Sequence, residues 1–246
     1  MTKVYWAPCF NKDAPSIVSS VNLLFKEPIN LIKHLHESRN KNSYSKCPAF
    51  LDFCKNVYII QAPFDITFSV NAHEKYLTTN LPEFIYREFV NNRGNESDPT
   101  DPYILSMPPR YVFYSKESVK MEMLPAFLNN SRSIDNINLI PGTYDIGKWI
   151  RPIDFSFELK DHTEVVKIKE NDPLFYIKFT TTNDEKIELE RVALDQELYS
   201  AINTCSSLKL TNKTTYTLKK MYEMAEGYLN VLSFRKKKKC PFHYWK

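Results

Sequence analysis

The clearest pattern in the chain runs from 153 to 159, where Ile153, Phe155, Phe157 and Leu159 alternate with Asp154, Ser156 and Glu158. A period of two sets the four apolar side chains on one face of an extended strand and the polar three on the other. Residues 65–70 alternate in the same way, and 57–60 form a short run rich in β-branched residues that Pro63 interrupts. Residues 5–8, 18–25, 103–105 and 111–114 read as further strands, the last two separated by Pro108 and Pro109. Beyond an apolar stretch at 121–128, the run 138–160 reads as turn, strand, turn, strand. The extended pattern continues through Val165, Ile168, 174–180 and 187–192, with Asn171, Asp172 and Pro173 as a turn.

The period changes near the C-terminal end. Between 217 and 234, Leu218, Met221, Tyr222, Ala225, Tyr228, Leu229 and Leu232 recur at spacings of three and four, opposite Lys219, Lys220, Glu223 and Glu226. That is one apolar stripe on a helix, weakened in its C-terminal half by Gly227, which costs about 1 kcal/mol relative to Ala. Residues 194–203 read as a short helix, 29–36 as a short helix or extended segment, and 82–91 as helical. Residues 40–45 read as a polar loop, and 92–102, with Gly94, Pro99 and Pro102, as a charged one. Strands first and helices last predict an α+β, mainly β chain. The expected fold is a single β-sandwich or barrel-like domain of roughly seven to ten strands with C-terminal helices. It spans 1–234 and is followed by a basic, aromatic tail at 235–246.

Composition narrows the function classes. The 246 residues are 43% hydrophobic and 25% charged, which excludes collagen-like and mostly disordered chains. Only 4 residues are Gly, so phosphate loops and dinucleotide folds that need close backbone approach are disfavoured. The net charge of +4 is uneven: 208–246 hold nine Lys and one Arg against two Glu, or +8, leaving 4 − 8 = −4 for the rest. The basic excess belongs to one end and not to a broad nucleic-acid face. Five scattered cysteines without a C-x-x-C pair, an N-terminus lacking a signal-like apolar run and the want of any 18-residue apolar stretch predict a reduced, cytosolic protein with no membrane partner. The sequons at Asn95, Asn129 and Asn212 then carry no meaning.

Several constellations bear chemistry. His34 and His36 on a strand would point to one side, and with a carboxylate and His73 or His162 would make the facial metal site of a cupin-like oxygenase or isomerase; a solvated segment is the plainer reading. Cys47 and Cys54 add thiols near that pair, but seven residues is wide for a structural zinc site, and two small buried thiols are the plainer reading. Asp65, Asp154 and Glu158 supply carboxylates that read as a solvated sheet face. No G-x-S-x-G, G-x-G-x-x-G or H-E-x-x-H motif occurs, and the run from Gly142 to Lys148 departs from a phosphate loop at Trp149, where a hydroxyl is required. No cofactor is implied. Two of the four glycines, Gly142 and Gly147, fall in that run, where Gly would supply positive φ at a sharp turn. Trp149 and Arg151 then share a face of the following strand, as a cation–π pair and ligand shelf or as a corner plugged by tryptophan. Arg235, Lys236, Lys237, Lys238 and Lys239, with Phe242, Tyr244 and Trp245 beyond them, would attract nucleic acid or an acidic protein surface.

Residues 46–52, 57–60 and 63–66, together with 141–143, 149–152 and 168–177, resemble an uncharacterised family of small proteins encoded by bacteriophages, including phages of marine bacteria. The likeness covers about 28–192 and implies a β-rich fold and a phage origin, without an activity or a catalytic residue to carry over. Frequent Lys, Asn and Ile, whose codons are AT-rich, fit such an origin. The expectation is a phage-encoded binding or interaction protein without catalysis, in the host cytoplasm or the virion, meeting a phage or host protein. A metal-dependent enzyme and a virion structural subunit are the rival classes.

Overall fold

The computed structural model describes residues 1–9, 25–37, 43–71, 76–82, 86, 91–92, 104–129, 136–159, 165–211 and 216–229. In chain order come β1 (Thr2–Pro8), β2 (Ile29–Asn30), α1 (Leu31–Glu37), α2 (Pro48–Cys54), β3 (Val57–Gln61), β4 (Ile66–Asn71), β5 (Tyr76–Thr79) and β6 (Asn91–Asn92). There follow β7 (Ile104–Tyr114), β8 (Val119–Pro125), β9 (Ile137–Leu139), β10 (Gly142–Asp145) and β11 (Pro152–Leu159). The chain continues through β12 (Val165–Ile168), β13 (Pro173–Thr181), β14 (Ile187–Arg191), α3 (Gln196–Thr211) and α4 (Leu218–Leu229). The fold is α+β and mainly β, with its longer helices last. Its sheets do not close, so the barrel-like alternative is set aside.

One sheet runs β14-β1-β7-β11-β9, with β6 also on β7; a second runs β10-β8-β13-β3-β2; a third is β12-β4-β5. Pairing is antiparallel except between β1 and β14. The first two sheets meet through aromatic rings. Phe155 of β11 stacks on Phe175 of β13 at 5.6 Å, and Phe113 of β7 meets Phe179 of β13 at 5.6 Å. Burying each such ring contributes about 2–3 kcal/mol. The alternation in β11 is borne out: Ile153, Phe155, Phe157 and Leu159 are buried, while Asp154, Ser156 and Glu158 are half-buried.

The outer face of the second sheet is closed by the two short helices. Leu31 and Leu35 of α1 and Cys54 of α2 pack with Val57, Ile59 and Tyr176. The C-terminal helices join the main core instead, through Leu198, Ala201, Ile202, Cys205 and Leu208 of α3 and Met221, Ala225 and Leu229 of α4. Both begin on sequence-encoded caps: Asp195 Oδ1 accepts from the Leu198 amide at 2.7 Å, and Thr217 Oγ1 from the Lys220 amide at 3.3 Å.

Three expectations are corrected here. Pro108 and Pro109 do not separate two strands. They lie within β7, where Ile153 pairs Tyr111 and Phe155 pairs Met107, so residues 108–110 bulge opposite Asp154. Proline lacks an amide hydrogen and is tolerated where the ladder is already interrupted. The helix expected at 194–203 extends to Thr211, because Ile202, Cys205 and Leu208 prolong its buried stripe. Ser200 and Thr204 donate to carbonyls one turn back and so do not break it. Cys47 is exposed at the start of α2 and only Cys54 is buried. The strand expected at 18–25, most of the helix at 82–91 and the tail lie outside the described residues.

Candidate functional site

The corner between β10 and β11 is organised by a residue to which the sequence pattern gave no role. Asp145 is 6% exposed, and its carboxylate accepts from the Gly147 amide (2.9 Å), the Val119 amide (3.2 Å) and the Ser118 hydroxyl (2.6 Å). Its own amide donates to the Tyr222 hydroxyl of α4 at 2.6 Å, and its carbonyl accepts from the amides of Lys148 and Trp149. The run that departs from a phosphate loop therefore uses its amides internally: Gly147 on the Asp145 carboxylate, Lys148 on the Asp145 carbonyl and Ile146 on the Val119 carbonyl.

Neither Gly142 nor Gly147 has positive φ, which corrects the reason given for them. Gly147 is needed for room: a Cβ there would lie 2.0 Å from the Glu117 carbonyl oxygen. Around Gly142 there is open space.

Trp149 and Arg151 lie in the connection between β10 and β11 and not on the strand, which corrects the placement expected from the sequence, because β11 starts only at Pro152. The indole is buried; its Nε1 donates to the Cys205 carbonyl of α3 at 3.2 Å, and its ring meets Tyr144 and Tyr222 edge-on at 6.0 and 6.5 Å. Trp149 thus ties the corner to both C-terminal helices, as the plugged-corner reading expects. Arg151 makes the expected cation–π contact. Its guanidinium carbon lies 5.4 Å from the centre of the Trp149 ring and 5.5 Å from that of Tyr144. Its Nε donates to the Pro152 carbonyl at 3.3 Å.

Beside this pair is a partly open cavity of about 270 Å³. Met123, Ile140, Pro141, Ile153 and Leu218 supply its apolar walls, and Arg151, Asp154, Ser156 and Thr143 its polar points. Leu218, at the start of α4, is exposed at 41%. Asp154 corrects the reading of a solvated sheet face: its side chain is 14% exposed and its Oδ1 lies 3.3 Å from Arg110 Nε. The bulge at 108–110 sets Arg110 opposite it. Burial pushes the Tyr144 hydroxyl above its ordinary range, so it stays protonated and donates to the Arg151 carbonyl at 3.4 Å.

The chain was compared with protein-family models, with curated proteins and with solved structures, and it matches none of them. Its own geometry has to carry the functional reading.

Among the described residues the other sequence candidates do not assemble. His34 and His36 sit on α1, not on a strand, and two steps along a helix turn them about 200° apart. His34 is half-buried and His36 exposed. Among the described residues, no three His, Cys, Asp or Glu side chains gather to hold a metal. His73, His162 and the cations Arg235 to Lys239 lie outside the described residues. Asp65 is exposed just before β4 and accepts from the Glu170 amide at 2.7 Å, on a different sheet from Asp154 and Glu158. Those two are four residues apart on one strand, about 13 Å, too far to share a proton. Sequence reasoning singled out Trp149 and Arg151 in this corner; it gave no role to Asp145, Tyr144, Arg110 or Tyr222, whose contacts arise from pairing and packing.

Proposed function

We propose that this chain is a phage-encoded, non-catalytic binding protein that holds a small ligand in the cavity beside Arg151. The observation that carries the reading is a guanidinium set against two aromatic rings in the wall of a cavity that has both apolar and polar lining. A cation held in this way keeps donors available without needing a carboxylate partner. The lysines that follow Arg235 would add a salt-sensitive contact to an acidic partner. No helix among the described residues is long and apolar enough to cross a membrane, and the proposal requires none.

The test is a fragment screen by ligand-observed NMR on the full chain, repeated with Thr143→Trp. Thr143 is an exposed lining residue, so an indole there obstructs the cavity without disturbing the core. Fragments that bind the parent and are lost in the variant support the reading. Fragments unaffected by the block contradict it. Stoichiometric iron, manganese or zinc in the purified protein would instead favour the metal-dependent class.

A further inference from the structure

We infer that the ligand of this cavity is a small organic monoanion: an apolar body of about one ring bearing a single carboxylate, with the carboxylate on Arg151. The inference rests on the binding reading above and adds the ligand class.

Charge comes first. Among the described residues no carboxylate makes an ion pair with Arg151, whereas Asp154, the one carboxylate among those lining the cavity, is matched by Arg110. Counted together with Arg110, the charges at the cavity sum to +1, from Arg151 and Arg110 against Asp154, which favours an anion. Orientation comes next. Tyr144 and Trp149 contact the guanidinium, and its Nε is engaged by the Pro152 carbonyl. Its terminal amino groups keep the planar fork that suits the two oxygens of a carboxylate.

The walls then select the body. Met123, Ile140, Pro141, Ile153 and Leu218 gain from covering an apolar group and offer nothing to a hydrated inorganic anion. The cavity volume is about 270 Å³, near the low end of small-molecule sites. That room suits one ring with a short arm. The Ser156 hydroxyl, 3.0 Å from that of Ser106, supplies a further polar point at the wall.

The experiment is calorimetric titration of the full chain with four probes: phenylacetate, 2-phenylethanol, 2-phenylethylamine and inorganic phosphate. Phenylacetate is expected to bind about tenfold tighter than the neutral alcohol, the difference a single charge-assisted contact supplies. The amine and phosphate should be weaker still. Arg151→Gln should weaken phenylacetate about tenfold and so erase its preference over the alcohol, and Thr143→Trp should abolish the binding of both. If the alcohol matches phenylacetate and Arg151→Gln changes nothing, the ligand class is wrong while the cavity remains a binding site. Phosphate binding as tightly as phenylacetate overturns the apolar body. If no probe binds, or Thr143→Trp leaves binding intact, the binding reading itself fails.

Discussion

Asp145, Gly147 and Tyr222 organise the corner, and the last two each make a separable prediction. Gly147→Ala forces a Cβ into the Glu117 carbonyl, so the backbone must shift. The expected cost is about 2–3 kcal/mol, a fall in melting temperature of roughly 5–10 °C by thermal denaturation. Gly142→Ala, with open space around it, should change the melting point little. Tyr222→Phe leaves the Asp145 amide without its phenolic acceptor. The expected cost is about 1–2 kcal/mol in urea denaturation, without loss of fold. The glycine pair was legible as unusual, but its physical cause was not. A steric conflict with Glu117, thirty residues back in the chain, leaves no local trace, whereas the turn chemistry expected at Asn171 is present, with φ of 69°. Arg151 was legible because a cation two residues beyond a tryptophan is a local pattern.

At the scale of elements, alternation was the dependable signal and histidine spacing the misleading one. The alternation in β11 and the stripe in α4 both express which face is buried, which composition at fixed spacing encodes. His34 and His36 depended on a strand, whereas Leu31 and Leu35, four apart, set the period of a helix. β7 misread as two strands because the bulge that shelters Pro108 and Pro109 is defined by its partner β11, not by β7 itself. A second joint between elements is Asn56, which has φ of 59° and lies just before β3. Its side chain accepts from the Ile187 amide and donates to the Glu185 carbonyl, both at 2.8 Å, bridging the second sheet to β14 of the first. Asn56→Ala loses both bonds and places an unfavourable residue at positive φ. The expected destabilisation is about 2–3 kcal/mol, read as a lower urea midpoint with an unchanged slope.

For the whole molecule, the buried acids predict an alkaline limit. Burial pushes the Cys9 and Cys54 thiols from 9.0 up to about 11. It pushes the Tyr114 and Tyr176 hydroxyls from 10.0 up to about 12. The folded chain holds these protons more tightly than the unfolded chain does. Stability from this source is therefore fully present below pH 9 and declines as pH rises towards 11 and 12. Urea midpoints taken from pH 7 to 11 should be flat to about 9 and fall thereafter; midpoints that rise above pH 9 would refute this. The same burial predicts thiol reactivity: Cys47 should be alkylated rapidly in the native state, and Cys9, Cys54 and Cys205 only on unfolding.

The central claim is that the β10–β11 corner opens a cavity in which Arg151 receives a ligand. Its most direct measurement is a map of backbone amide shifts in the ¹⁵N-labelled full chain titrated with phenylacetate. Saturable shifts clustered at Thr143, Tyr144, Arg151 and Asp154, saturating at about tenfold higher ligand in Arg151→Gln and absent in Thr143→Trp, are the predicted result. Shifts that are absent, scattered, or centred on His34 and His36 would contradict it.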